Sequence, residues 1–320
     1  MNRHITFSRL LAAFLARYCT WLPEDTFLKW RYRLLMKQTL HLDNPQTFTE
    51  KIQWLKLHDR KPIYTKMADK YEVKEYVSQR IGEQYVIPTL GVWEQFDDID
   101  FSQLPTQFVL KSTNGGGGTG VVICKDKKKF DIASAKRMLT KSMNVSADVR
   151  QGEWVYKGIK PRIIAEKFMA PIKNSAPADL PDYKFFCFNG KVRFFKVDFN
   201  RFVEHHANYY DVNGKLMPFG ETVCPPSPNM KIELPNNLAN MVELAEKLSE
   251  GHFFLRVDLY NVNGVIYFGE TTFYPNSGFG EFAPECWDLK IGEMLDLSTG
   301  KRGGVKCKTL VIRKEVRLCA

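Results

Sequence analysis

Paired cysteine motifs, long apolar runs, internal repeats and low-complexity linkers are all missing from this chain of 320 residues. Its seven cysteines (Cys19, Cys124, Cys187, Cys224, Cys286, Cys307, Cys319) are odd in number and widely spread, with no Cys-x-x-Cys pair and no cysteine–histidine cluster. That pattern argues against a structural zinc site and for reduced thiols in a cytoplasm. Cys124 and Cys187 sit in apolar, strand-like runs and read as small core residues. The apolar stretch Leu10–Ala16 is only seven residues long and is bracketed by Arg9 and Arg17. A membrane-spanning helix needs about 20 apolar residues, and no clean small-x-small cleavage site follows, so a span and a signal peptide are both disfavoured. An amphipathic helix with Arg3, Arg9 and Arg17 as its basic residues fits better. Packing on its own domain is the favoured reading, and peripheral contact with the inner membrane face is the other.

What is present is an ordinary globular composition, 44% hydrophobic, 13% aromatic and 26% charged, which excludes disordered and fibrous classes. The length allows two or three lobes. A net charge of +10 favours acidic partners such as nucleotide phosphates or uronic-acid polymers, although ordinary solvated surface explains it equally well.

Residues 1–60 read as an N-terminal helical region, with periodic apolar residues from Phe27 to Leu35 and a helix beginning near Pro45 and Thr47. One helix is expected from about Tyr64 to Arg80, carrying Asp69-Lys70, then strand and turn to Val92. Strand-like Gln107–Lys111 and Val121–Cys124 flank a glycine loop, and a helix follows from Asp131 to Met143. Asn-Gly pairs at 189–190, 213–214 and 263–264 each lie between strand-like runs, the strongest short-range hairpin signal. A helix from Asn237 to Glu250 interrupts these hairpins. The division expected is 1–60, a lobe at 61–165, a second lobe at 166–298, and a basic tail at 299–320.

The loop Asn114-Gly115-Gly116-Gly117-Gly118-Thr119-Gly120 matches several nucleotide motifs. A dinucleotide fingerprint needs a helix directly after it, and Val121–Cys124 is β-branched strand. A P-loop needs Gly-Lys-Ser/Thr, which Gly118-Thr119-Gly120 does not supply. The kinase flap G-x-G-x-x-G-x-V is matched through Val122, but the chain has no His-Arg-Asp or Asp-Phe-Gly. The remaining reading is another strand-turn-strand flap, whose backbone N–H groups cover phosphates while Lys111 on the preceding strand meets them.

Carboxylates in apolar strands supply the other half. Asp258 lies in Phe253–Tyr260 with Arg256, and Glu270 in Val265–Thr272. Magnesium is commonly held by one or two carboxylates plus phosphates and water. A two-residue turn at Asn263-Gly264 would place Asp258 opposite Gly269 and Glu270 on the other face. A three-residue loop, Val262-Asn263-Gly264, would bring Arg256, Asp258 and Glu270 onto one face, so a type I turn plus bulge with Gly264 left-handed is expected.

The order of these pieces, over roughly Lys61 to Leu297, resembles the ATP-grasp ligases. The resemblance implies an α+β fold of two lobes, with nucleotide between antiparallel sheets, after a helical region. It implies that Lys70 and Lys111 contact phosphate, Gly115, Gly116, Gly117, Gly118 and Thr119 form the flap, and Glu166 with the backbone of Lys167 and Met169 meets adenine. Asp182, with Lys184 beside it, takes the place of the ribose-contacting acid. Arg256 matches the phosphate-contacting arginine, Asp258 and Glu270 the metal carboxylates, and Thr272 replaces the usual asparagine of the third ligand. Within the superfamily, Pro45–Leu57, Asp182–Gly190 and Gly269–Phe279 resemble the teichuronopeptide-synthesis branch.

That branch implies a carboxylate–amine ligase that uses ATP and Mg2+ and joins an amino acid or other amine to a uronic acid of a surface polysaccharide. Arg256, Lys111 and Lys70 would be the catalytic cations, and no covalent nucleophile or nucleic acid is implied. Arg193, Lys196, Arg201, His205 and His206 are candidates for binding an acidic glycan, and Ser277-Gly278 for shaping the acceptor pocket. The rival enzyme reading is a glycosyltransferase, whose metal usually sits on a short Asp-x-Asp. A basic nucleic-acid or membrane-binding module is the nonenzymatic alternative, and it leaves the flap and carboxylates without a purpose.

Overall fold

The computed structural model describes residues 7–19, 21–115, 120–144, 152–169, 180–199, 205–230 and 232–298. Contacts divide the chain into one unit of residues 1–60, 181–257 and 272–320, and a second of 61–180 and 258–271. The lobe boundary expected at 165/166 is not part of that division. The strand there is hydrogen-bonded on both sides within the second unit, so the chain does not part beside it.

Three helices open the first unit: α1 (Phe7–Tyr18), α2 (Glu24–Met36) and α3 (Phe48–His58). Phe27, Leu28 and Tyr32 of α2 pack with Ala16 of α1 and with Leu40. Thr47 starts α3 through a capping box: its hydroxyl accepts from the Glu50 N–H, and the Glu50 carboxylate accepts from the Thr47 N–H. Such a cap contributes about 1 kcal/mol.

The second unit begins with a departure from the expected single helix. α4 (Ile63–Ala68) and α5 (Val73–Ile81) are separated by a break at Asp69–Glu72. The Asp69 carboxylate accepts from the N–H groups of Tyr71 (2.7 Å) and Glu72 (3.1 Å), and the Lys70 N–H donates to the Thr113 carbonyl (3.2 Å). Those bonds satisfy backbone groups that a continuous helix would have used internally. β1 (Thr89–Trp93), β2 (Phe108–Ser112), β3 (Val121–Cys124) and β4 (Ile163–Lys167) form an antiparallel sheet in the order β1-β4-β2-β3. α6 (Ile132–Met143), capped by Asp131, brings Ala135 and Leu139 against Phe108, Leu110, Cys124, Ile163 and Ala165. Because strand side chains alternate, Lys111 and Glu166 belong to the opposite face.

The first unit resumes with β5 (Asp182–Phe188), β6 (Lys191–Phe199) and β7 (His206–Asp211), with β6 central and antiparallel to both neighbours. β5 and β6 join at Asn189-Gly190, whose φ values of 49° and 79° make a two-residue type I′ turn. The Asn213-Gly214 pair does not join two strands as expected. Asp211 caps this segment by accepting from the N–H groups of Asn213 and Lys215, and only an isolated bridge, Tyr210 to Leu216, follows.

β8 (Gly220–Glu221), α7 (Leu238–Ser249), β9 (Phe254–Val262), β10 (Val265–Thr272), β11 (Phe282–Ala283) and α8 (Cys286–Glu293) complete the described chain. α7 packs on β5 and β6, β9 lies beside β5, and β8 pairs with β11. Aromatic rings fill the core here, with Phe186 and Phe194 at 4.7 Å, Phe188 and Phe254 at 5.2 Å, and Phe48 of α3 and Phe254 at 5.1 Å between centroids. Among the described cysteines, Cys19, Cys124, Cys187 and Cys224 are free, as reduced thiols would be.

Candidate functional site

The break between α4 and α5 aims Lys70. Its backbone is tied to Thr113 at the end of β2, and its ammonium donates to the carbonyl of Gly115 at the entrance to the glycine loop. Arg162 braces the break, donating to Asp69 (2.9 Å) and Glu72 (3.0 Å), while its own N–H donates to the Thr113 hydroxyl (3.1 Å). On the sheet face away from α6, the Glu166 carboxylate receives Lys111 on one oxygen and Lys74 of α5 on the other, each at 2.5 Å. Burial works against the Glu166 charge, but Lys111 and Lys74 together hold its carboxyl below the usual carboxylate range. Burial lowers the ammonium groups of Lys70 and Lys74, opposed by Glu270 for Lys70 and by Glu166 for Lys74.

Lys111 and Lys74 thus converge on Glu166, with Lys70 held at the glycine loop, and burial depresses the proton affinity of Lys70 and Lys74. Such a set gains when further negative charge arrives, which suits it to phosphate oxygens. Gly120, at φ 74°, closes the loop onto the strand after it. A Cβ there would lie 2.2 Å from the Ser142 hydroxyl and 2.3 Å from that of Ser112, which are bonded to each other at 2.7 Å. Gly116, Gly117, Gly118 and Thr119 lie outside the described residues.

The hairpin expected to hold the metal has a different turn. Asn263 and Gly264 both have positive φ, 55° and 84°, between strands ending at Val262 and starting at Val265. This is the two-residue type I′ turn, favoured because Asn-Gly tolerates left-handed backbone at both positions, and the Asn261 side chain accepts from the Gly264 N–H. Asp258 therefore stands opposite Gly269. A Cβ on Gly269 would point at the Tyr260 ring, the side to which Asp258 also belongs. Beyond that point the alternation reverses: Ile266 and Phe268 are buried before Gly269–Glu270, Thr271 and Phe273 after it. The bulge expected in the turn is absent from it, since Asn263 and Gly264 alone join the two strands. Asp258 is buried, and the Thr271 hydroxyl donates to the Met67 carbonyl at 2.7 Å. Asp258 and Glu270 each offer the hard oxygen donors that magnesium takes. Among the described residues, no cluster of three or more Asp, Glu, His or Cys could hold a metal unaided.

In the first unit, Asp182 and Lys184 on β5 stand opposite Asp198 and Lys196 on β6, all four buried. Lys184 pairs with Asp182 (2.5 Å) and Asp198 (3.9 Å), and Lys196 with Glu221 (3.0 Å) and Asp198 (3.7 Å). The other Glu221 oxygen accepts from the Asn276 amide at 2.8 Å. Asn276, Ser277 and Gly278 run left-handed in succession (φ 49°, 56°, 67°), a costly conformation for the first two. Gln53 donates to the carbonyls of Ser277 and Gly278, and Lys56 to that of Ser277, all from α3. His205 lies 3.6 Å from Asp198 and 3.3 Å from the Cys224 sulfur, and His206 contacts the Pro225 carbonyl.

The structure therefore brings Lys70, Lys111, Gly115, Glu166, Asp258 and Glu270 into the second unit, and Asp182, Lys184, Arg256 and Thr272 into the first. Lys167 and Met169 end the β4 segment, and Arg201 lies outside the described residues. Sequence reasoning missed Lys74 and Arg162. Lys74 stands four residues after Lys70, a helical spacing that could have flagged it, whereas Arg162 carries no local signal. Lys196, a glycan candidate, is tied up in buried ion pairs. The chain also carries one Asp-x-Asp tripeptide, Asp98-Ile99-Asp100, which a reading centred on the glycine loop overlooks. Its Asp100 carboxylate is used to cap a turn, accepting from the N–H and hydroxyl of Ser102.

No curated protein sequence matches the chain. Solved structures that resemble it include an L-amino acid ligase from Bacillus licheniformis (15% identity, 81% of this chain and 57% of that one, TM-score 0.45). Others are a D-alanine–D-alanine ligase from Bacillus anthracis (20%, 71% and 66%, 0.40) and an N5-carboxyaminoimidazole synthetase from Staphylococcus aureus complexed with ADP (16%, 64% and 44%, 0.39). The chain spans about half to two thirds of the length of these proteins. The family model described as TupA-like ATPgrasp matches residues 50–296, well over half of the sequence. The chain belongs to the TupA-like ATP-grasp family.

Proposed function

We propose that the protein is an ATP-dependent carboxylate–amine ligase using Mg2+, and that its acceptor is a uronic acid of a surface polysaccharide, joined to an amino acid or other amine. The observation that carries the ligase reading is Lys70 held at the entrance to the glycine loop, with Lys111 and Lys74 paired on Glu166 in the same unit. The glycan rests on resemblance of the three motifs around Thr47, Asp182 and Glu270 to the teichuronopeptide branch. An enzyme consuming ATP works where ATP is made, which puts it in the cytoplasm.

A carboxylate is a poor electrophile until activated. In the proposed reaction a carboxylate oxygen attacks the γ-phosphorus, the bond to the β–γ bridging oxygen breaks, and ADP leaves. The amine nitrogen then attacks the acyl phosphate, inorganic phosphate departs, and the nitrogen loses a proton. Lys70 and Lys111 would hold phosphate oxygens, Lys111 exchanging Glu166 for them while Lys74 keeps Glu166 neutralised. Arg256 would take part of the same charge. Glu166 with the backbone of Lys167 and Met169 would meet adenine, Asp182 and Lys184 the ribose, and Gly115–Thr119 would cover the phosphates. Asp258 and Glu270, with Thr272 as a weaker third donor, would hold magnesium, which offsets phosphate charge when bound.

Thermal shift with Mg-ATP against nucleotide sugars separates this reading from the glycosyltransferase. Stabilisation by Mg-ATP is expected, and stabilisation only by a nucleotide sugar overturns it. ADP release, screened across amino acids with a uronic-acid glycan, then identifies the amine.

A further inference from the structure

α1 has two apolar faces, and only one is covered. Ala12, Leu15 and Ala16 are its buried residues, and Ala16 packs with Phe27, Leu28 and Tyr32. The larger apolar side chains face outward: Phe7 is 80% exposed, Leu11 36%, Phe14 52% and Tyr18 57%. These four recur at spacings of four, three and four residues, a single stripe on the helix. Leu10 (56% exposed) widens it, and Trp21, just beyond the helix, is 76% exposed. A helix that only needed to pack on its own unit would bury its phenylalanines and expose its alanines, and here the order is inverted.

The surrounding charge selects the occupant. Residues 1–23 contain Arg3, Arg9 and Arg17 and no aspartate or glutamate, in a chain of net charge +10. On the helix, Arg17 flanks the apolar stripe next to Leu10, and Arg9 lies on the opposite side. Large apolar and aromatic side chains on one face, with Arg17 flanking them in a segment that holds no acidic residue, suit the interface of an anionic bilayer, where rings sit at headgroup level and cations meet lipid phosphates. Among the described residues no helix is long and apolar enough to cross a membrane, so the contact is one that lies on the surface.

We propose that the outward stripe of α1, Phe7, Leu10, Leu11, Phe14 and Tyr18, seats the protein on an anionic lipid surface. The stripe is independent of the ligase site, so this proposal and the ligase reading fail separately. The test is co-sedimentation of the full chain with vesicles of phosphatidylcholine plus phosphatidylglycerol, and of phosphatidylcholine alone. Binding to the anionic vesicles that weakens with salt is expected. A Phe7→Ser/Phe14→Ser double variant should lose about 100-fold in partitioning, and Arg9→Gln/Arg17→Gln about tenfold. Because these side chains are exposed, thermal unfolding and Mg-ATP affinity should be unchanged in both variants. Absence of wild-type binding to anionic vesicles overturns the proposal, as does undiminished binding by Phe7→Ser/Phe14→Ser. A dimer that binds no vesicle and dissociates in that variant overturns it too, and gives the stripe to a second copy.

Discussion

The two buried charge clusters make opposite uses of lysine. In the second unit Lys74 and Lys111 share one carboxylate, Glu166, with Lys70 beside them, and burial depresses two of the ammonium groups. In the first unit Lys184 and Lys196 are set among Asp182, Asp198 and Glu221, with opposite charges spaced along each strand. The first cluster carries an excess of positive charge and improves when an anion is added. The second already contains its counter-charges, and burial makes removing any of them costly. Burial of lysine alone therefore does not separate the two clusters, whereas the balance of charge around it does.

Substitutions should separate the clusters. Glu270→Gln, which removes a proposed metal carboxylate near Lys70, should lower the ADP-release rate by about 10²–10³-fold with little change in unfolding temperature. Undiminished turnover would remove Glu270 from the metal role. Lys196→Met should do the reverse, destabilising the protein by about 3 kcal/mol in denaturant titration while leaving Mg-ATP affinity within about twofold. A Lys196→Met/Glu221→Gln double variant should recover part of that stability, and loss of ATP binding without loss of stability would place Lys196 itself in the ATP site. Gly120→Ala forces a side chain into the Ser112–Ser142 pair at φ 74°, and should cost about 1–3 kcal/mol of stability.

The smallest effect concerns pH. Burial lowers the Lys70 and Lys74 ammonium groups, so in the free protein they lose protons at lower pH than an ordinary lysine. Bound phosphate favours the charged form, so binding takes up protons and affinity falls as pH rises into the alkaline range. Calorimetry in buffers of different ionisation enthalpy should show this uptake, and Lys70→Met should reduce it.

What the sequence made legible was local. Asn189-Gly190 makes its hairpin turn with no help from distant residues, and Val121–Cys124 after the glycines is strand because its β-branched residues favour one. Periodicity found the apolar residues of α2, but it ran through Asp69-Lys70, since bonds to Thr113 and Arg162 that interrupt the helix come from far along the chain. The hairpin at 258–270 shows the same limit. Asn263-Gly264 makes the two-residue turn that its own propensity favours, where a shared face for Asp258 and Glu270 called for a three-residue loop. Resemblance named Lys70 and Lys111 for phosphate and Glu166 for adenine, whereas the Lys74–Glu166 and Arg162–Asp69 contacts beside them depend on tertiary placement.

The most direct test of the central claim is calorimetric titration of Mg-ATP into the wild-type chain, Lys70→Ala and Lys111→Ala. The expected result is saturable binding by the wild type, weakened at least about tenfold in each variant, with all three folded. Absence of Mg-ATP binding by the folded wild type, or equal affinity in all three proteins, would contradict the assignment of the lysine cluster to the triphosphate.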